Sequence, residues 1–184
     1  MKRIDLAIPG VCVIEPSVFA DERGFFFESY HERKYAEIGI KDRFVQDNHA
    51  RSAKNTLRGL HYQIRNPQAK LCRVIQGEVL DVVVDIRRGS PYFGKWESSV
   101  LSEHNKRQMY VPPGFAHGYV VLSETAEFLY KCSEFYQPDF DRGVAWNDPE
   151  IGIPWGIETP ILSAKDRLNP TLAHLATAEL PEYK

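Results

Sequence analysis

From Lys70 to Gly94 the chain reads KLCRVIQGEVLDVVVDIRRGSPYFG, with β-branched runs on either side of Gln76-Gly77. That pair predicts a hairpin turn. In the second run Leu80, Val82, Val84 and Ile86 alternate with Asp81 and Asp85, the period of a half-buried strand. Gly89-Ser90-Pro91 closes it. Other short apolar or aromatic runs, GVCVIEP, GFFFESY, KWESSVLS, QMYVPPG, AHGYVVLS and EFLYKCSEFY, are separated by turn residues. The cadence predicts an all-β sandwich or barrel with antiparallel pairing. Helical patterning is confined to SYHERKYAEIG and, weakly, NPTLAHLATAEL. With no repeat or shift in composition, one domain over 1–184 is expected.

Composition adds few constraints. Apolar residues make up 43% of the 184 and charged residues 26%, which is ample for a core. Ten Phe, nine Tyr and three Trp suit a barrel interior or a ring-stacking pocket. A net charge of −2 leaves no basic field for nucleic acid, although a few local arginines could hold a small anion. Cys12, Cys72 and Cys132 are odd in number and have no Cys-x-x-Cys spacing. That argues against a disulfide framework or zinc ribbon and for burial in a reducing compartment. The opening MKRIDLAIPG has no apolar leader core, and no run reaches transmembrane length. A cytoplasmic protein without a membrane partner is expected.

Several polar residues stand among the strand signals. Asp21, Glu22, Arg23 and Glu28 surround a Phe-rich run, and Gln46, Asp47, Asn48 and His49 form another group. RGLHYQ holds Arg58 and His61 beside Gly59, which permits an unusual backbone angle or a close approach. His117 follows a Pro-Gly turn, FLYKCSEFY supplies Tyr130, Lys131 and Tyr136, and LSAKDR supplies Lys165 and Asp166. For each, a structural role fits at least as well as a functional one: solvated lysine, packed tyrosine, hydrogen-bonded core histidine. Metal ligand, catalytic base and core residue all stay open for His61.

Taken in order, DERGFFFESY, FVQDNHARS, LRGLHYQ, AKLCRVIQGEVLDVVVDIRRGSP, NKRQMYVPPGFAHGY, EFLYKCSEFYQP, WNDPEIGIPW and LSAKD resemble the dTDP-4-dehydrorhamnose 3,5-epimerase family. They cover nearly the whole chain. The resemblance implies a cupin-like jelly-roll barrel with a few short peripheral helices. Metal-binding cupins share a His-x-His pair, a Glu before a glycine and a later Pro-x-Gly-x-x-His. Here PPGFAH keeps the last element with His117, but Gln63 stands at the second histidine and Lys70 at the glutamate, after a longer gap. An ammonium group does not ligate a cation, so the expected site is metal-free.

The resemblance further implies a thymidine-diphosphate 4-keto sugar as substrate and no cofactor, because the ketone is itself the electron sink. His61 would be the base, Asp166 its support, Lys70 the stabiliser of the enolate and Tyr130 the acid on the far face. Arg23, Arg58 and His117 would suit the diphosphate, Gln46, Asn48 and Glu28 the base and ribose, Tyr136 stacking on thymine, and Lys165 a further contact. A homodimer is implied, with the N-terminal segment exchanged so that Arg23 and Glu28 serve the neighbour's site. Inversion at C3 alone, a metal-dependent cupin enzyme and a non-catalytic sugar-binding module are the alternatives.

Overall fold

In the computed structural model, which describes residues 1–183, thirteen strands and one short helix carry the chain. They are β1 (Lys2–Asp5), β2 (Cys12–Glu15), β3 (Phe19–Asp21), β4 (Gly24–Phe26), α1 (Glu32–Glu37), β5 (Gln46–Ala53), β6 (Leu57–Gln63) and β7 (Lys70–Gln76). There follow β8 (Glu78–Asp85), β9 (Trp96–Ser102), β10 (Gln108–Val111), β11 (Phe115–Val121), β12 (Thr125–Cys132) and β13 (Asp141–Gly143). One sheet runs β1-β2-β10-β7-β12-β5 and the other β13-β6-β11-β8-β9, with antiparallel pairing throughout. This is a cupin-like jelly roll. The weak helical pattern near the end becomes two 3₁₀ turns, Leu172–His174 and Thr177–Glu179.

Gln76-Gly77 is not a hairpin turn. β7 pairs with β10 and β12, whereas β8 pairs with β11 and β9, so the glycine turns the chain from one sheet to the other. Gly77 sits at φ +76, where an added Cβ would fall 2.1 Å from the Thr125 carbonyl oxygen. A left-handed glycine between β-branched runs marks either a hairpin or a barrel corner, and pattern alone cannot separate them.

β8 is not half-buried either. Val79 and Val83 face the barrel interior with Val74, Met109, Phe115 and Phe128. Val82, Val84 and Ile86 pack on the other face beneath Val144, Ile151, Trp155 and Leu172 of the C-terminal segment. Asp81 and Asp85 share the interior parity and are both fully buried. Their alternation with valines therefore marks two environments inside the protein, not core and solvent.

Candidate functional site

Alternation along each inner strand fixes what lines the barrel. On the six-stranded sheet Tyr130 pairs with Asn48 and Cys72, and Cys132 with Gln46 and Lys70, so all six side chains share one face. On the other sheet His61 pairs with His117. Arg58 and His61 lie three residues apart and would point to opposite faces of a regular strand. A bulge resolves this. The β6–β11 register shifts between His117 and Tyr119, so that Gly59 and Leu60 together oppose Gly118. A Cβ on Gly59 would stand 2.5 Å from the Gly118 Cα, so the close approach expected of this glycine is present. The shift brings Arg58 onto the cavity wall beside His61.

That cavity has a volume of about 550 Å³, and its wall includes Arg58, His61, Lys70, His117, Tyr130 and Asp166. A second space of about 290 Å³ is lined by Gln46, Asn48, Gln63, Tyr136 and Asp141. The two meet at His61, Lys70 and Tyr130. His61 and Tyr130 approach from opposite sheets.

His61 Nε2 lies 2.6 Å from Asp166 Oδ1, and the Asp166 side chain is only 3% exposed. Burial pushes the Asp166 carboxyl up, but hydrogen bonds from His61, Ser163 and the Gly59 backbone, with the charge of His61, carry it below the ordinary carboxylate range. An ionised Asp166 takes the hydrogen of Nε2, which leaves Nδ1 of a neutral ring as a free base. Lys70 has no carboxylate partner among the described residues. Burial, above all, raises the Tyr130 phenol, with smaller contributions from the nearby cysteines. It is therefore a protonated donor at neutral pH. Arg58 donates from Nε to Ser52 Oγ at 3.0 Å and makes no ion pair among the described residues. Two unpaired cations in one cavity favour an anionic ligand.

The other residues singled out in the sequence fall in three places. Gln46 and Asn48 line the second space and bond to each other at 3.1 Å, and Gln46 Oε1 also accepts from the Tyr136 backbone N–H. Tyr136 donates from its hydroxyl to Asp141 at 2.9 Å, and Lys165 pairs with the same carboxylate. His117 lines the main cavity, but its Nε2 is engaged 2.5 Å from Asp81 Oδ1. Arg23 and Glu28 lie away from both spaces; Arg23 pairs with Asp21 on the β3–β4 hairpin and Glu28 with Lys34. Gln63, at the position of a second metal-cupin histidine, gives its amide to the Asn66 carbonyl and accepts from the Gln137 backbone.

Ser52, Tyr119, Phe128, Asp81 and Asp141 join the site without having stood out in the sequence as candidates. Tyr119 and Phe128 stack with centroids 4.1 Å apart and form an aromatic part of the cavity wall. Parity is the available signal: Ser52 and Phe128 lie an even number of residues from Asn48 and Tyr130 on the same strands.

The sequence profile of the dTDP-4-dehydrorhamnose 3,5-epimerases matches residues 5–174. The chain belongs to this family. It is 58% identical to the dTDP-4-dehydrorhamnose 3,5-epimerase of Pseudomonas aeruginosa over 94% of this chain and 97% of that one. The dTDP-6-deoxy-D-glucose-3,5-epimerase of Legionella pneumophila, solved with dTDP-4-keto-L-rhamnose, superposes with a TM-score of 0.97 at 48% identity, covering 100% and 98% of the two chains. A 3'-monoepimerase from Streptomyces bikiniensis, solved with dTDP-quinovose, has a TM-score of 0.89 at 35% identity, covering 97% and 92%. Among the described residues of this epimerase-family chain, no helix is long and apolar enough to cross a membrane.

Proposed function

We propose that this chain inverts C3 and C5 of dTDP-4-dehydro-6-deoxy-D-glucose to give dTDP-4-dehydro-L-rhamnose, in dTDP-L-rhamnose biosynthesis. The observation that carries this reading is the His61–Asp166 pair facing Lys70 and Tyr130 across one cavity. The 4-ketone acidifies the hydrogens at C3 and C5. Nδ1 of His61 removes one of them, and Asp166 stabilises the imidazolium that forms. The electron pair moves onto the C4 oxygen, where the Lys70 ammonium favours the enolate over the ketone. Tyr130, on the opposite wall, returns a proton to the other face of the same carbon. Neither a metal nor an organic cofactor takes part: the ketone accepts the electrons, and Lys70 supplies the positive charge.

Arg58, His117 and Lys165 are proposed to hold the diphosphate, and Gln46, Asn48 and Tyr136 the nucleoside. A cytoplasmic homodimer completes the site, with Arg23 and Glu28 supplied by the partner. Phe19, Phe25 and Phe26 on the exposed hairpin, 67%, 58% and 72% accessible, support such an exchange. Inversion of C3 alone is the second reading, favoured by the fold shared with a 3'-monoepimerase. Proton NMR of the product formed from the 4-keto substrate in heavy water decides between them. Deuterium and inversion at both carbons are expected; deuterium at C3 only gives the second reading. His61→Ala should abolish exchange at both.

A further inference from the structure

Apart from the His61–Asp166 pair, the barrel holds a second cluster of metal-binding side chains. Cys72 of β7, Asp81 of β8 and His117 of β11 bring a sulfur, a carboxylate oxygen and an imidazole nitrogen within 4.8 Å of one another, from both sheets. Cys72 and Asp81 are fully buried and His117 is 6% exposed. Cys72 Sγ lies 3.7 Å from His117 Nε2, which in turn lies 2.5 Å from Asp81 Oδ1. The second oxygen, Asp81 Oδ2, is buried with no hydrogen-bond partner among the described residues. A buried carboxylate with one oxygen orphaned is costly, and it points to a missing ligand.

We propose that Cys72, Asp81 and His117 form an inhibitory site for a borderline-soft divalent cation such as zinc. This site goes beyond the proposed epimerase activity, which needs no metal. Zinc holds sulfur at about 2.3 Å and nitrogen at about 2.0–2.1 Å, so a tetrahedral pair of such ligands stands roughly 3.5–3.6 Å apart. The sulfur and nitrogen already stand close to that separation. The imidazole–carboxylate contact would open by somewhat under roughly 1 Å to admit the ion. Thiolate, imidazole and carboxylate together suit zinc or cobalt and not magnesium or calcium.

The proton balance is simple. The Cys72 thiol loses its proton to solvent, and the hydrogen on His117 Nε2 moves to Nδ1, leaving the Nε2 lone pair for the ion. One proton is released per ion bound. Of the three ligands His117 alone lines the main cavity, so the ion is reached from there and its fourth position opens there. A charged, hydrated ion on that wall blocks the substrate. The site shares only His117 with the metal-cupin positions, which correspond here to His61, Gln63, Lys70 and His117; Cys72 and Asp81 lie outside that set.

The test uses reduced, full-length protein. Equilibrium dialysis against Zn²⁺ should give one ion per chain, and Co²⁺ should give the near-ultraviolet charge-transfer band of a cobalt–thiolate bond. Cys72→Ala should lose both, with Cys72→Ser as the isosteric variant if alanine does not fold, while Cys12→Ala keeps both. The ratio of turnover with zinc to turnover without it should fall at least tenfold in wild type, recover on chelation and stay near one in Cys72→Ala. Absence of stoichiometric zinc binding, or a cobalt band that survives in the Cys72 variants, overturns the proposal. Dialysis and spectra do not depend on turnover, so their failure is distinguishable from failure of the epimerase reading.

Discussion

Asp166→Asn removes a charge from the dyad while keeping the shape of the side chain. Asp166 takes hydrogen bonds from the His61 ring, the Ser163 hydroxyl and the Gly59 backbone. Its side chain is 3% exposed, so no bulk water can replace them. A carboxylate has two oxygens for these donors, and an amide has one. The amide must turn its NH₂ toward one of them. If that one is His61, the ring holds its hydrogen on Nδ1 and cannot take a proton from the sugar. If the amide keeps its oxygen on His61, the charge is still lost. A hydrogen bond to a charged group contributes about 1.5–3 kcal/mol against about 0.5–1.5 kcal/mol for a neutral one. At about 1.4 kcal/mol per factor of ten, charge alone is then worth roughly tenfold. The wrong tautomer raises the loss toward about 10⁴-fold, as in other His–Asp pairs.

The expected outcome is therefore a fall in kcat/KM of about 10²-fold or more at pH 7, since at least one donor is left facing an NH₂ group. Calorimetric titration with dTDP should show affinity within about threefold of wild type, because in the proposed mechanism Asp166 acts through His61. Exchange of the C3 and C5 hydrogens with heavy water, followed by NMR, is the direct assay. A folded Asp166→Asn protein that exchanges within threefold of wild type refutes the argument. Stability carries a sign as well. The folded carboxyl lies below the ordinary 3.8, so its contribution is complete above that value and is lost as pH falls through the lowered folded value. The stability difference between wild type and Asp166→Asn in urea should shrink as pH falls below 3.8.

Tyr130→Phe should keep deuterium exchange at C3 or C5 while inversion falls about 10²–10⁴-fold, because on the proposed mechanism His61 alone removes and returns a proton on one face. Inversion of both centres at nearly the normal rate would move the acid elsewhere, Tyr136 being the next candidate. Exhaustive chelation should leave turnover unchanged; loss of activity that one particular metal restores would contradict the role given to Lys70. Gly77→Ala should destabilise the fold by more than about 2 kcal/mol in urea unfolding, since φ +76 and a backbone oxygen 2.1 Å from the new Cβ both oppose it. A change under about 0.5 kcal/mol would mean the corner relaxes freely.

The strands are legible in the sequence because a short run of alternating apolar positions, bounded by turn residues, fits little except a strand. Their partnerships are not. β7 and β8 are adjacent in sequence and lie in different sheets, and the same glycine signature serves a hairpin and a corner. His61 and Asp166 are 105 positions apart, so nothing in local pattern joins them; the family resemblance alone suggests the pair. Asp81 is misleading for a related reason. A strand covered on both faces still alternates when one face meets an apolar layer and the other a polar interior. Gly59 carries the most local information, because a glycine between Arg58 and His61 is what a change of parity requires.

The interior of this barrel is divided along its length, and that division connects fold to chemistry. Val74, Val79, Leu101 and Phe128 close one part with apolar packing that excludes water. Where the bulge at Gly59 and Leu60 opposes Gly118, the lining changes to Arg58, His61, Lys70 and Tyr130. Here the pairing is selective: the buried carboxylates would be costly if left alone, whereas Arg58 is exposed and Lys70 half-buried. The carboxylates of Asp166 and Asp81 are each held by a histidine, whereas Arg58 and Lys70 have no carboxylate partner among the described residues. Arg58 and Lys70 therefore have no carboxylate counter-ion of their own in the absence of ligand. An anion that enters the cavity can supply that counter-charge. On the proposed mechanism Lys70, half-buried on β7 and without a carboxylate partner among the described residues, keeps its charge for the electron density that develops on a ketone oxygen beside it.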